Sequence, residues 1–138
     1  LDGTKGLPII FPVHPRTAKN LQSLGIDAPN MHMSDPLGYL EFNYLVKNAK
    51  GVITDSGGIT EEASVMNVPC ITLRDNTERP ETILLGTNEL VGTDPAKLKP
   101  YLEKIMKGEW KQYQGIPLWD GQTAVRIVDI LIDSYPIS

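Results

Sequence analysis

Short apolar runs alternate with longer amphipathic patterns along most of the chain. Five runs can form buried strands, and they cover residues 7–13, 30–34, 51–55, 69–73 and 89–92. Helical patterns follow these runs. Parallel strands need a crossover of about a dozen residues, which a helix supplies. The alternation predicts an α/β fold, a Rossmann-like three-layer sandwich with a parallel sheet between layers of helix.

Turn and cap residues predict where the helices begin and end. Gly25 stops the first helix, and the Asp-Pro pairs at 35–36 and 94–95 offer an N-cap followed by proline at the first helical position. The predicted helices cover residues 16–24, 36–49, 59–66, 78–85, 95–106 and 122–132. The apolar face of the second is expected to consist of Leu37, Leu40, Tyr44, Leu45 and Ala49. Because Pro8 and Pro12 lack an N–H donor, the first strand is expected at an edge or end of the sheet.

The composition favours one globular domain. The 138 residues are 41% hydrophobic with a net charge of −4, so we expect a single domain over residues 1–138 with a substantial core. Cys70, the one cysteine, lies in an apolar run, which is typical of a buried thiol in a reducing cytosol. The uncharged stretch 7–13 is too short to span a bilayer, and no Lys/Arg cluster suits nucleic acid. A small anionic ligand is compatible with this charge.

The turns that follow the strands are where such a sheet binds ligands. After the third strand, Ser56, Gly57 and Gly58 lead into a helix. Free N–H groups and the positive end of the helix dipole converge there, two glycines permit close approach of an anion, and Ser56 can donate its hydroxyl. A helix cap with a permissive turn would give the same string. The chain has no GxxxxGK or GxGxxG motif, which disfavours ATP hydrolysis and NAD binding.

Two acidic residues follow this turn. Glu62, four residues after Gly58, can return its carboxylate toward a ligand, where it would accept hydrogen bonds from the paired hydroxyls of a sugar. The alternative is an acid that the helix dipole favours in the first turn, and Glu61 is assigned that role.

His14 and Arg79 also follow predicted strands. His14 can donate to a phosphate or protonate a leaving group near neutral pH, although a structural histidine fits the same position. Arg79 belongs to the charged loop 74–81, where it is the natural partner of a phosphate, although a solvated turn has a similar composition. No Cys/His cluster has the spacing of metal ligands, and no serine lies in a nucleophile elbow.

Four motifs stand in a fixed order: 11–17 (FPVHPRT), 36–42 (PLGYLEF), 52–63 (VITDSGGITEEA) and 73–81 (LRDNTERPE) followed by 86–88 (GTN). Together they resemble the UDP-N-acetylglucosamine 2-epimerases. The resemblance covers almost the whole chain but only the carboxyl-terminal half of the family pattern. It implies the nucleotide-binding lobe of a two-lobed glycosyltransferase-B fold, with the amino-terminal lobe absent.

The resemblance implies a role for each candidate residue. His14 would touch the diphosphate and assist the departure of UDP, and Phe42 would flank the uracil. The turn at residues 56–58 would hold phosphate, and Glu62 would take the ribose hydroxyls. Arg79 would contact the ligand, and no metal ligand is implied.

The same resemblance implies an isomerase that interconverts UDP-GlcNAc and UDP-ManNAc. UDP is eliminated to leave a glycal and then adds back, without a redox cofactor. Acids of the amino-terminal lobe take the C2 proton, so the fragment alone is expected to be inactive. The parent enzyme is expected to be a cytoplasmic homodimer that serves polysaccharide biosynthesis. A glycosyltransferase lobe, a hydrolysing epimerase and a regulatory nucleotide-sugar module stay open as alternatives.

Overall fold

The computed structural model describes Thr4, residues 6–25 and residues 28–135. Strands and helices alternate over this part of the chain in the predicted order. The strands are β1 (Ile9–Pro12), β2 (Met31–Ser34), β3 (Val52–Thr54), β4 (Cys70–Thr72) and β5 (Asn88–Leu90). The helices are α1 (Pro15–Ser23), α2 (Tyr39–Asn48), α3 (Gly57–Val65), α4 (Pro80–Leu84), α5 (Leu98–Lys107) and α6 (Thr123–Ser134), with a 3₁₀ turn at Pro95–Lys97.

The strand pairs are all parallel, which confirms the predicted α/β class. β1 pairs with β2, with Ile9 opposite Met31, and β4 lies between β3 and β5. The described strands therefore form a two-stranded and a three-stranded sheet rather than the single sheet expected. β1 has one neighbour, in agreement with its predicted edge position, because Pro12 has no N–H to pair with a second strand.

The packing centres on β4, whose residues are all buried. Successive side chains of a strand point to opposite faces of its sheet. One cluster joins α2 and α3 to the sheet and contains Val46, Ala63, Val68 and Cys70. The other joins α5 to the sheet and contains Ile71, Val91, Ile105 and Trp110. Helices thus cover both faces of the three-stranded sheet, as a three-layer sandwich requires.

The helices begin one to three residues from their predicted starts, as α2 and α3 illustrate. α2 begins at Tyr39 with Gly38 as its N-cap, because the carbonyl of Gly38 accepts the first helical hydrogen bond from the N–H of Phe42. The Asp-Pro pair at 35–36 precedes the helix in a segment without regular secondary structure. α3 begins at Gly57, two residues before the predicted start.

The buried face of α2 also differs from the predicted one. Of the predicted face, Ala49 packs against the core, together with Phe42 and Val46, which were not predicted. Leu40 and Tyr44 are instead 79% and 69% exposed. Both sets recur at helical spacing, so periodicity alone does not decide which of them α3 and β4 cover.

α6 occupies its predicted place but buries no residue. Its apolar side chains are 51–63% exposed, and they are Val125, Ile127, Val128, Ile130, Leu131 and Ile132. A helix with apolar residues on several sides normally packs against other polypeptide. The described part of the chain leaves this surface uncovered. Its helices include none that is long and apolar enough to cross a membrane.

Candidate functional site

A cavity of about 230 Å³ lies at the carboxyl ends of β3 and β4. The start of α3, the end of β4 and the loop before α4 form its walls. Its lining residues are Gly57, Gly58, Thr60, Glu61, Thr72, Arg74, Asn76, Thr77, Glu78 and Arg79. Three candidate residues, Gly57, Gly58 and Arg79, therefore share one cavity, at the edge of the sheet where an α/β fold binds ligands.

The start of α3 is open toward this cavity. Ser56 is the N-cap in extended conformation, and its side chain makes no capping hydrogen bond. Gly57 and Gly58 form the first turn, whose N–H groups have no acceptor within a helix. A Cβ atom at either glycine would meet no heavy atom within 4 Å, and neither has a positive φ. The packing of the chain therefore does not require these glycines, whereas close approach of a ligand to the backbone would.

Arg79 is held at the rim of the cavity by an ion pair. Its Nε donates to Glu61 Oε1 at 2.7 Å, and its Nη1 donates to the carbonyl of Glu78 at 3.2 Å. The hydrogen bond to Glu61 and the charge of Glu61 raise the pKa of Arg79 above its ordinary value. Arg79 is therefore a permanent cation beside the helix start.

Glu61 corrects one interpretation of the sequence. It is the fifth residue of α3, and the first turn of that helix contains no acidic residue. Its partner is Arg79, 18 residues further along the chain, rather than the helix dipole. The helix starts two residues earlier than predicted, which moves Glu61 out of the first turn.

Glu62 lines a second cavity, of about 350 Å³. The walls of this cavity are Tyr39, Glu61, Glu62, Val65, Met66 and Trp119. Glu61 lines both cavities, so the two adjoin. Neither Tyr39 nor Trp119 was predicted as a site residue. Tyr39 belongs to the 36–42 motif, which was the available signal, whereas nothing around Trp119 distinguishes it from a core aromatic.

Three candidate residues, His14, Phe42 and Ser56, line neither cavity. His14 is exposed after β1, where its carbonyl accepts hydrogen bonds from the N–H groups of Thr17 and Ala18 in α1. Phe42 packs against the core cluster of α2 and α3. Within the described residues, no group of three or more His, Cys, Asp and Glu side chains could hold a metal ion.

Parallel strands whose carboxyl ends meet an open helix start define the α/β class of ligand-binding domains. A family model described as UDP-N-acetylglucosamine 2-epimerase matches residues 1–132, and the chain belongs to that family.

Individual relatives agree with this assignment. A UDP-N-acetylglucosamine 2-epimerase of Methanococcus maripaludis is 47% identical over 128 residues, which are 89% of this chain and 34% of the relative. The crystal structure of the Methanocaldococcus jannaschii UDP-GlcNAc 2-epimerase in complex with UDP-GlcNAc and UDP is 45% identical, with a TM-score of 0.73 over 91% of this chain and 36% of that chain. The Staphylococcus aureus MnaA–UDP co-structure is 28% identical, with a TM-score of 0.81 over 96% of this chain and 37% of that chain. The chain thus spans about a third of the length of the curated relatives it matches.

Proposed function

We propose that this chain is the UDP-binding lobe of an epimerase that interconverts UDP-GlcNAc and UDP-ManNAc. The observation that carries the proposal is the cavity shared by Gly57, Gly58 and Arg79 in a member of this family. The family relative from M. jannaschii is solved in complex with UDP-GlcNAc and UDP, which is the ligand class that the cavity suits.

The diphosphate is assigned to the first cavity. N–H groups of the first turn of α3 donate to its oxygens, and the helix dipole favours its negative charge. The hydroxyl of Ser56, the N-cap of α3, is assigned to the same oxygens from outside the lining of the cavity. Arg79 adds a cation at the rim. Its Nε donates to Glu61 and one N–H of Nη1 donates to a carbonyl, so Nη2 and the second N–H of Nη1 can approach a phosphate oxygen.

The nucleoside is assigned to the second cavity. Glu62 accepts hydrogen bonds from both ribose hydroxyls there. The family resemblance assigns the uracil to Phe42, which lies outside the lining of the cavity. Because Glu61 lines both cavities, one extended nucleoside diphosphate can cross from the helix start to Glu62. Tyr39 gives this cavity an aromatic wall next to the nucleoside.

The reaction breaks the bond between C1 of the sugar and the β-phosphate oxygen. The electron pair leaves with UDP, a base takes the proton from C2, and a glycal with a C1–C2 double bond remains. UDP then adds back, and C2 receives a proton on the opposite face. Donors already in place around the departing diphosphate stabilise its growing charge. His14 is assigned to that departure because of the family resemblance, and no redox cofactor takes part.

The parent enzyme is proposed to have two lobes in a glycosyltransferase-B arrangement, of which residues 1–138 form one. The uncovered apolar surface of α6 supports a polypeptide partner for this lobe. The base for the C2 proton is assigned to the other lobe. A cytoplasmic homodimer in polysaccharide biosynthesis is the proposed setting.

Titration of the isotope-labelled chain with UDP tests the proposal by NMR. Amide shifts should cluster at Gly57 and Gly58. Removal of one partner of a charged hydrogen bond costs on the order of 1.5–3 kcal/mol, so Arg79→Ala should weaken UDP binding by roughly tenfold or more. The matched control is Arg126→Ala in α6, whose guanidinium pairs with Asp120, and it should bind UDP as the unsubstituted chain does. Millimolar UDP that leaves the glycine amides unmoved would contradict the proposal.

A further inference from the structure

A chain of buried side-chain hydrogen bonds runs beneath the first cavity. Thr72 Oγ1 donates to Asn88 Oδ1 at 2.6 Å, and Asn88 Nδ2 donates to Thr82 Oγ1 at 3.2 Å. Thr82 Oγ1 in turn donates to the carbonyl of Arg79 at 2.7 Å. Thr72, Thr82 and Asn88 are between 0% and 2% exposed. These hydrogen bonds thus connect Thr72 in the lining of the cavity to the backbone carbonyl of Arg79.

The direction of these bonds is fixed by the number of protons available. A hydroxyl has one proton to donate, and Thr82 gives its proton to Arg79. Thr82 Oγ1 must therefore accept from the Asn88 amide, which leaves Asn88 Oδ1 to accept from Thr72. Loss of one member would leave buried polar groups without a partner, which is costly.

The last of these hydrogen bonds reaches the backbone of Arg79, where it can set the position of the Arg79 side chain. The Arg79 carbonyl also accepts from the backbone N–H of Thr82 at 3.0 Å, so Thr82 holds this peptide group with two hydrogen bonds. Arg79 is the N-cap of α4, with a φ of −130° and a ψ of 62°. A displacement of the Arg79 backbone would carry the guanidinium away from Glu61 and from the cavity.

α4 itself is held close to α3, so the carbonyl cannot shift as a rigid unit with its helix. Gly86 follows α4, and a Cβ atom there would overlap Ser64 Oγ of α3 and the carbonyl of Thr82. Ser64 Oγ also accepts from the N–H of Thr87 at 3.2 Å. Gly86 and the backbone N–H of Thr87 therefore hold the end of α4 against α3.

We infer that Thr82 and Asn88 are positioning residues that hold Arg79 in the orientation that binds the diphosphate. The inference rests on the proposed function, since it concerns the UDP site. Neither residue needs to touch UDP, because each acts through the Arg79 backbone.

The test compares UDP affinity and thermal stability of single variants of the 138-residue chain. Thr82→Val removes the hydroxyl at nearly constant volume and should weaken UDP binding by about three- to tenfold, the range of one neutral hydrogen bond. Thr82→Ser keeps the hydroxyl and should retain the affinity. Thr82→Ala also lacks the hydroxyl without placing a methyl group against the Asn88 amide, so it replaces Thr82→Val if that variant does not fold.

Thr87→Val is the matched control for stability. Thr87 is equally buried, and its hydroxyl donates to the carbonyl of Val68 at 2.6 Å, away from the cavity. Both valine variants should lower the melting temperature, but only Thr82→Val should weaken UDP binding. If Thr82→Val and Thr87→Val weaken UDP binding equally, Thr82 has a purely structural role and the inference is overturned.

A double-mutant cycle with Arg79→Ala separates positioning from direct contact. In the Arg79→Ala background, Thr82→Val should leave the residual UDP affinity unchanged, because the side chain it positions is gone. If Thr82→Val weakens UDP binding as much in the Arg79→Ala variant as in the unsubstituted chain, the inference is overturned and the proposed function stays in place. Failure of the unsubstituted chain to bind UDP would overturn both.

Discussion

Glu61 and Glu62 are neighbours in α3 whose side chains point about 100° apart around the helix axis. Glu61 accepts from Arg79 and lines both cavities, whereas Glu62 lines only the second. The side chains of Arg79 and Glu61 are 42% and 36% exposed, and such an ion pair contributes little to stability. Its effect is geometric, because it keeps the guanidinium beside the start of α3. In the proposed site, Glu61 therefore belongs to the diphosphate end through Arg79, and Glu62 is assigned to the ribose end.

Gly58 offers a test in which stability and binding move in opposite directions. Glycine in a helix costs up to about 0.5–1 kcal/mol relative to alanine, and a Cβ atom here meets nothing within 4 Å. Gly58→Ala should therefore raise the free energy of unfolding, measured by urea denaturation. It should weaken UDP binding, because the new methyl group occupies the approach to the helix start.

Gly108 provides the control for this substitution. It ends α5 with a φ of +73°, so Gly108→Ala should lower the free energy of unfolding without any change in UDP affinity. UDP affinity that is unchanged in Gly58→Ala would show that the glycines serve the helix rather than the ligand.

At the scale of the elements, local signals in the sequence were sufficient to predict the order of strands and helices and the α/β class of the fold. The alternation of strands and helices, the edge position of β1 and the cap at Asp94 all depend on neighbouring residues. Asp94 Oδ1 indeed accepts from the N–H of Ala96 at 2.9 Å. Such features were predictable because each is determined within a few residues of the chain.

Features that depend on a distant neighbour could not be predicted in the same way. α2 carries two apolar stripes, and the positions of α3 and β4 decide that Phe42 and Val46 are the buried ones. Thr82 and Asn88 are polar residues of types that are mostly exposed in proteins. Only the fold supplies the partners that allow them to be buried. The Glu61–Arg79 pair likewise joins two segments that the fold brings together.

Cys70 in β4 should make the free energy of unfolding depend on pH in the alkaline range. Burial raises the pKa of the Cys70 thiol from 9.0 to about 12. Between these values the unfolded chain loses the thiol proton and the folded chain keeps it, so folding becomes less favourable as pH rises. The stability that the protonated thiol contributes is fully present below about pH 9. Above that pH, the free energy of unfolding should fall by as much as about 1.4 kcal/mol per pH unit.

Cys70→Ala isolates this effect from other groups that titrate at alkaline pH. The variant lacks the thiol, so its free energy of unfolding should fall less steeply between pH 9 and pH 11 in urea denaturation. Parallel pH profiles for the two proteins would mean that Cys70 ionises as readily in the folded chain as in the unfolded one.

At the scale of the whole molecule, every assigned residue serves the leaving group. The helix start, Arg79 and Glu62 are assigned to the diphosphate and the ribose, and no residue of this chain is assigned to the C2 proton. The uncovered apolar surface of α6 and the match to about a third of each relative both fit a lobe that closes on a second one. Such closure would exclude water and orient the sugar.

We therefore expect the 138-residue chain to bind UDP-GlcNAc without turning it over. A general base contributes about 10²–10⁴-fold to the rate, and loss of sugar orientation adds to that deficit. His14 is assigned to the departing diphosphate by the family resemblance, rather than to the C2 proton. After incubation with UDP-GlcNAc in D₂O, the NMR signal of the C2 proton should match that of the no-protein control.

The two-lobed parent should exchange that proton and lose activity in its His14→Ala variant. Deuterium at C2 with this chain alone would make His14 the base and place the whole reaction within one lobe.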